Sequence, residues 1–373
     1  MRVHVAAACS GRDLALLDAE PSWGLHEVLE ATPELGGATS GRRRVFFGTA
    51  ELCGSATLAQ IGATSGSHLT LVVVKARRIA VCCARLVKIV SLDSGKCSST
   101  LRGHQGAVES AVFSPVGTQV LTACKDKTAR IWSASTGKCL HALEGHRDSV
   151  VSAVFSPDGR WALTASVDST ARIWSVDSGE CVSTLEGHQN GLLSAKFSPD
   201  GRRVLTASLD HTARIWSVDS GECVRTLSGH DDALRSAVFS LDGQTALTAS
   251  KDKTAKMWSV SSGQCMHTLA GHQGCLHDAV FSPDERQVLT YAEDWTAKLW
   301  STACGECLRT FGSHQHQVCS AVFTPDGQQV MTGSTSGAVR MWSASSGLSL
   351  RTWKGHRSFL MSAAISPDGQ ESS

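Results

Sequence analysis

Residues 145–174 read GHRDSVVSAVFSPDGRWALTASVDSTARIW, and the markers of this stretch return along the chain at one interval of 42 residues. The histidine of the opening Gly-His recurs at His104, His146, His188, His230, His272, His314 and His356. The closing tryptophan keeps the same step through Trp132, Trp174, Trp216, Trp258, Trp300 and Trp342. A turn glycine does so at Gly95, Gly137, Gly179, Gly221, Gly263, Gly305 and Gly347. Three series in one phase, without insertion or deletion, define the chain as a repeat.

Each repeat divides into four strands. After Gly-His comes an inner strand such as VVSAVF, then a Ser-Pro-Asp-Gly turn, WALTAS, a tight turn at Asp168, TARIW, the Gly turn and an outer strand such as GECVSTL. Proline fixes φ at the second turn position and glycine supplies the positive φ. Strands apolar on both sides are expected where every sheet is stacked between two others. A period of roughly 40–45 with these markers is the pattern of propeller blades.

Six repeats are complete, and the ends supply a seventh. Residues 76–97 fall on the later strands of a repeat, with Val90 in the tryptophan position, and 355–369 carry the first strand, SFLMSAAISPDG. The C-terminal strand is therefore expected to close the ring beside the N-terminal three, which leaves no open sheet edge. Over this region the repeats resemble the WD-repeat family, with Trp-Ser where Trp-Asp is usual. The expected fold is mainly β: a seven-bladed propeller over 76–373, one blade split between 76–102 and 355–373, preceded by a small α+β domain over 1–75.

The first 75 residues share none of these markers and contain no lysine before Lys75. MRVHV and LALL read as strands, PSWGLHEVLEAT as a helix, and RRVFF and HLTLVVV as further strands. This order resembles the ubiquitin-like β-grasp, on MRVHV, Glu20-Pro21-Ser22, Arg44-Val45-Phe46-Phe47 with Leu52, and Thr57-Leu58 ahead of Leu69-Thr70-Leu71-Val72. Alternation turns Val45, Phe47, Leu69 and Leu71 toward the helix and leaves Phe46, Thr70 and Val72 on the open side. The resemblance implies that this open face is a partner-binding patch; cover by the adjoining propeller is the alternative. The last strand runs into Lys75-Ala76-Arg77 with no Gly-Gly, so the domain looks like a docking module, not a conjugated modifier.

Lys plus Arg at 35 nearly cancel Asp plus Glu at 34, and a net charge of +1 lacks the basic field that nucleic acid or a membrane surface requires. Of fourteen cysteines, Cys97, Cys139, Cys181, Cys223, Cys265 and Cys307 again stand 42 apart, on strands expected outermost, where pairs should exceed the ~7 Å bridging limit. They read as strand residues of a reducing compartment, cytoplasmic or nuclear, with no signal peptide or membrane span. Cys304-x-x-Cys307 has no second pair at zinc spacing, so no metal is expected.

Resemblance to the family also implies a buried tetrad in each blade: His146, Ser166, Asp168 and Trp174 in the second repeat, His188, Ser208, Asp210 and Trp216 in the third, and His230, Ser250, Asp252 and Trp258 in the fourth. On this assignment Cys124, Ala292 and Ser336 leave the first, fifth and sixth tetrads incomplete. Two series vary most among the copies: Glu109, Val151, Leu193, Arg235, His277, Cys319 and Met361, and Lys125, Val167, Leu209, Lys251, Glu293 and Thr335. Variation where the framework permits it is what a partner-specific surface needs. The fifth repeat departs furthest, with Asp278, Tyr291, Glu285 and Trp295. Trp295, Glu293, His277 and Arg235, with Lys251 and Lys125, form the expected protein- or peptide-binding face; a phosphopeptide reader would use the three cations.

No nucleophile stands in phase with a base, and no loop would cradle a phosphate. The expected function is a non-catalytic scaffold without cofactor. Its propeller binds a protein or peptide and its ubiquitin-like domain docks to a second component, plausibly of the ubiquitin-proteasome system. The alternative is a general WD40 scaffold in a signalling or RNA-related assembly.

Overall fold

The computed structural model describes residues 2–7, 13–18, 41–47, 50–52, 67–75, 78–91, 96–312 and 314–354. The expected N-terminal helix, the final strand and His356 lie outside them. The described residues are mainly β, with no α-helix. The chain divides into two compact units, one of 1–79 with 89–98 and 116–118, the other of 80–88, 99–115 and 119–373. The first unit thus takes in two short pieces beyond the expected boundary.

In the first unit, β1 (Arg2–Ala7), β2 (Asp13–Asp18), β3 (Gly41–Phe47), β4 (Ala50–Leu52) and β5 (Ser67–Lys75) form one sheet in the order β2-β1-β5-β3-β4. The central pair β1·β5 is parallel, and β1·β2, β3·β5 and β3·β4 are antiparallel. Phe46 lies opposite Thr70 and Arg44 opposite Val72, so these four positions share one face of the sheet.

Seven sheets follow, as expected of a seven-bladed propeller. The first, β6 (Arg78–Cys83), β7 (Leu86–Ser91) and β8 (Cys97–Arg102), has three strands among the described residues, and the other six have four. Two of these are β9 (Val108–Phe113), β10 (Gln119–Cys124), β11 (Ala129–Ser133) and β12 (Cys139–Leu143), then β13 (Val150–Phe155), β14 (Trp161–Ser166), β15 (Ala171–Ser175) and β16 (Cys181–Leu185). Each is an antiparallel meander. The same core recurs between consecutive sheets. Leu121, Ala123, Ile131 and Leu143 of one pack on Val150, Ala153, Ala162 and Trp174 of the next. Leu289, Leu299 and Phe311 meet Ala321, Val330 and Trp342 in the same way. Small residues on the receiving face admit the indole of the neighbour, which is why the second strand is buried on both sides while the outer strand is exposed. The six outer-strand cysteines are exposed free thiols.

The inner strands carry a device that alternation alone does not reveal. Ladder register slips by one residue at Glu109, Val151, Leu193, Arg235, His277 and Cys319. These six described members of the variable series are the extra residues of β-bulges, left out of the ladder pairing. A position outside the ladder register tolerates more variation than its paired neighbours.

The turns show a coupled exception. In sibling repeats the turn glycine faces a proline of the preceding repeat, as Gly159 does Pro115 and Gly327 does Pro283. Where the glycine is Glu285, at φ 58°, the proline is replaced by Leu241, whose N–H donates to the Glu285 carboxylate. Proline has no such donor. The two changes form one interaction. In a double-mutant cycle on unfolding, Leu241→Pro and Glu285→Gly should couple by about 1 kcal/mol, the net worth of such a bond; strictly additive effects would show that the pair is coincidental.

Candidate partner-binding face

The face is held by a polar chain inside each sheet. In the second repeat the Trp174 indole donates to Thr164 Oγ1 at 2.9 Å, and Thr164 Oγ1 lies 2.7 Å from His146 Nε2. His146 Nδ1 lies 2.8 Å from the Asp168 carboxylate. Ionised aspartate only accepts, so Nδ1 carries the proton, Nε2 accepts from threonine, and every donor points toward the carboxylate. This corrects the sequence assignment: the hydroxyl joining imidazole to indole is Thr164, and not Ser166. Ser166 instead donates to the Asp148 carbonyl and accepts the Asp168 N–H, which fixes the loop. Ser208 and Ser250 do the same, and Thr206 and Thr248 take their places in the chains of His188, Asp210 and Trp216 and of His230, Asp252 and Trp258.

Two further corrections follow. The first and fifth repeats are complete, because Thr122 and Thr290 supply the hydroxyl that Cys124 and Ala292 were expected to deny. His104, Cys124 and Asp126 do bring three potential metal ligands together. However, the imidazole is fully committed to Asp126 and Thr122, as in the repeats lacking cysteine, and burial raises the thiol pKa. That cluster is framework.

The sixth repeat is incomplete, as the sequence suggests. His314 and Trp342 still meet at Thr332, but Ser336 stands in place of aspartate and His314 Nδ1 is buried without a partner. Ala338 also replaces the threonine that elsewhere donates to the carboxylate, as Thr296 does to Asp294 at 2.7 Å. Burial, helped by the charge of Arg340, lowers the His314 pKa to about 4. In the intact networks burial pushes Asp168 and Asp210 upward. Bonds from backbone N–H groups, threonine and histidine overcome it and hold both at about 2.

Above these networks the fifth repeat gathers the variable residues. Arg235 is the bulge residue of strand Leu234–Phe239 and His277 that of Leu276–Phe281. One Arg235 nitrogen lies 2.6 Å from His277 Nδ1 and the other 2.9 Å from a Glu293 oxygen. Arginine can only donate, so Nδ1 is the acceptor and the histidine proton sits on Nε2. Burial first, and the Arg235 charge second, lower the His277 pKa, with Glu293 opposing. The His277 ring lies 6.0 Å from that of Tyr291, whose phenol is raised by burial. Asp278 accepts from the Ser236 hydroxyl and the Ala279 N–H, and burial raises its pKa.

Trp295 occupies the turn position after the network aspartate, at φ 68° and 51% exposed. The same position is left-handed in all six complete repeats, and the sixth uses glycine, Gly337. A bulky side chain there is strained and exposed at once. Of the six expected face residues, Arg235, His277 and Glu293 are in direct contact. Lys125 lies in the first complete repeat and pairs with Glu109 at 3.2 Å. Lys251 has no such pairing with the cluster. Arg235 and Lys125 are each paired with a neighbouring carboxylate, Glu293 and Glu109.

Six stacked sheets, five with the complete internal brace and the sixth with its aspartate missing, together with varying bulges and turns define a repeat framework that presents loops. The chain belongs to the WD40 family. The family model, WD domain, G-beta repeat, matches residues 95–133, 137–175, 179–217, 221–259, 263–301 and 305–343, more than half of the sequence. No curated protein matches the chain. WD40 repeats suggest a protein-interaction scaffold. No helix among the described residues is long and apolar enough to cross a membrane.

Restoring the missing brace should be measurable. Ser336→Asp with Ala338→Thr is expected to stabilise the protein by about 1–3 kcal/mol in urea unfolding, the cost of an orphaned buried donor. The pH dependence follows from the sign of the shifts. His314 resists protonation when folded, so its contribution is full above about pH 6.5 and is lost as pH falls toward 4. The Asp168 and Asp210 contributions persist below that and are lost from about pH 4 toward 2. Stability should fall between pH 7 and 4, and less so in the double variant, whose new carboxylate favours the imidazolium.

Proposed function

We propose that the protein is a non-catalytic scaffold that binds a protein or peptide through the fifth-repeat face, with Trp295 as anchor. The observation carrying this reading is the conjunction at Trp295: an aromatic ring kept exposed on a strained turn, in a framework that accepts glycine at the same place. Two residues before it in the chain is Glu293, whose carboxylate Arg235 joins to His277, the imidazole that carries its proton on Nε2. An apolar anchor flanked by oriented hydrogen-bonding groups is the pattern of an interface hot spot. Lys251 and Lys125 contribute to the rim.

The N-terminal unit serves as a second docking module of the ubiquitin-like kind, through the face bearing Phe46, Thr70 and Val72. Its strand order, with the first and last strands parallel at the centre, supports that reading. A component of the ubiquitin-proteasome system is the fitting partner. The second reading is a general WD40 scaffold in a signalling or RNA-related assembly with no ubiquitin link, favoured by a family match that covers the repeats and not the N-terminal residues. The final strand within 355–373 completes the three-stranded sheet beside β6 and closes the propeller.

Full-length protein captured with its cellular partners provides the test. Trp295→Gly should leave the melting temperature unchanged or higher, because glycine tolerates the positive φ, yet release the propeller's partners. Phe46→Glu should release ubiquitin receptors alone. Retention of every partner by the Trp295 variant would refute the assigned face, and indifference of all partners to Phe46→Glu would favour the second reading. Ending the chain at Lys354 should lower the melting temperature by several degrees; unchanged melting of a monomer would rule out closure by the final strand.

A further inference from the structure

At the opposite end of the inner strands from Arg235 and His277 lies a cavity of about 340 Å³ within the second unit. Phe113, Phe155, Phe197 and Phe239, from four consecutive inner strands, line it with the prolines of three turns. This is the small end of the roughly 300–1,000 Å³ range of ligand pockets. One cation joins this apolar lining, Lys196. The corresponding residue is Val112, Val154, Val238, Val280 and Val322 in the other complete repeats, so the framework prefers an apolar side chain there.

Lys196 is only partly exposed, and among the described residues its ammonium makes no hydrogen bond or ion pair. Asp278 feels its field at long range, through a small downward pull on a carboxyl that burial raises. That carboxylate is already engaged by Ser236 and Ala279. A neutral hydrocarbon ligand covering the rings would take this half-buried ammonium further from water without pairing it, at a cost in free energy. A ligand that brings its own negative charge would remove it while covering the four rings.

We infer that this cavity binds a small monocarboxylic acid of medium chain length, its carboxylate on Lys196 and its hydrocarbon body against the phenylalanines. The single cation among the lining residues disfavours a polyanion. The site is independent of the Trp295 face, so either can fail without the other.

The test compares octanoate with octanol on the full-length protein, by calorimetric titration and by melting temperature. Octanoate should bind saturably and raise the melting temperature, and octanol should bind at least about tenfold more weakly, a difference of about 1.4 kcal/mol. Lys196→Val installs the residue of the sibling repeats and should fold normally, with octanoate binding reduced to the octanol level. Lys196→Gln, which keeps a polar side chain without the charge, should behave likewise. Equal octanoate binding by the wild type and both variants would overturn the assignment, as would octanol matching octanoate or no saturable binding of either. Lys196-dependent binding of a peptide ending in an apolar residue, without binding of octanoate, would overturn it in favour of a chain terminus.

Discussion

One threonine hydroxyl in each of the six complete repeats receives the indole N–H of one strand and hands its own proton to the imidazole of the loop leading into the next element. Everything above it depends on that relay. The relay ties the third strand to the second and the second to the Gly-His loop, and it ends on a carboxylate that also captures backbone N–H groups of two turns, such as those of Arg147 and Thr170. Because all donors run in one sense, each bond polarises the next, and the network is favourable only when complete. It converts two loops and a tight turn into a rigid rim.

With the rim fixed, the repeats become an internal substitution series, and departures come in compensated groups. Loss of the aspartate at Ser336 coincides with loss of its threonine donor at Ala338, so one orphan, His314 Nδ1, remains instead of two. Glu285 replaces a glycine only where Leu241 replaces the proline it would face. Asp278, by contrast, is a single change: it replaces a serine and accepts from Ser236, the serine that this position carries in the other complete repeats. The paired changes are signs of retained packing, whereas among the described residues the Trp295 side chain makes no hydrogen bond or ring contact and remains half exposed. That contrast is what the proposed anchoring role of Trp295 rests on.

The repeat period and strand order were legible because the apolar pattern and the turn glycines recur without a slip. The brace was misread for a geometric reason. Thr164 and Ser166 have the same parity, so alternation puts both on one side of the strand, and only reach decides between them. The indole pairs opposite Ala162, next to Thr164, and two residues of strand, about 6.6 Å, put Ser166 beyond it. The signal was present, since threonine recurs at 122, 164, 206, 248, 290 and 332 without exception. The bulges were not legible, because a one-residue slip leaves no mark in composition; only their consequence, variability, could be read. In the N-terminal unit the strand faces follow from period alone, but the pairing of Phe46 with Thr70 needed the register.

The chemistry of the fifth-repeat face follows from what Arg235 has already spent. Its two nitrogens are committed to His277 and Glu293, at partly buried positions, so the guanidinium is a brace and not a free cation. Protonating His277 would set a second donor against Arg235 and break that brace, in keeping with the lowered pKa of the ring. At neutral pH the face therefore offers an aromatic plane, one imidazole N–H and a carboxylate whose charge is offset. Recognition by such a surface depends on shape and directed hydrogen bonds more than on long-range attraction, and it should be comparatively insensitive to salt. On the proposed reading, a near-neutral face would select its partner by fit, and the rigidity that fit requires is what the threonine relay beneath it supplies.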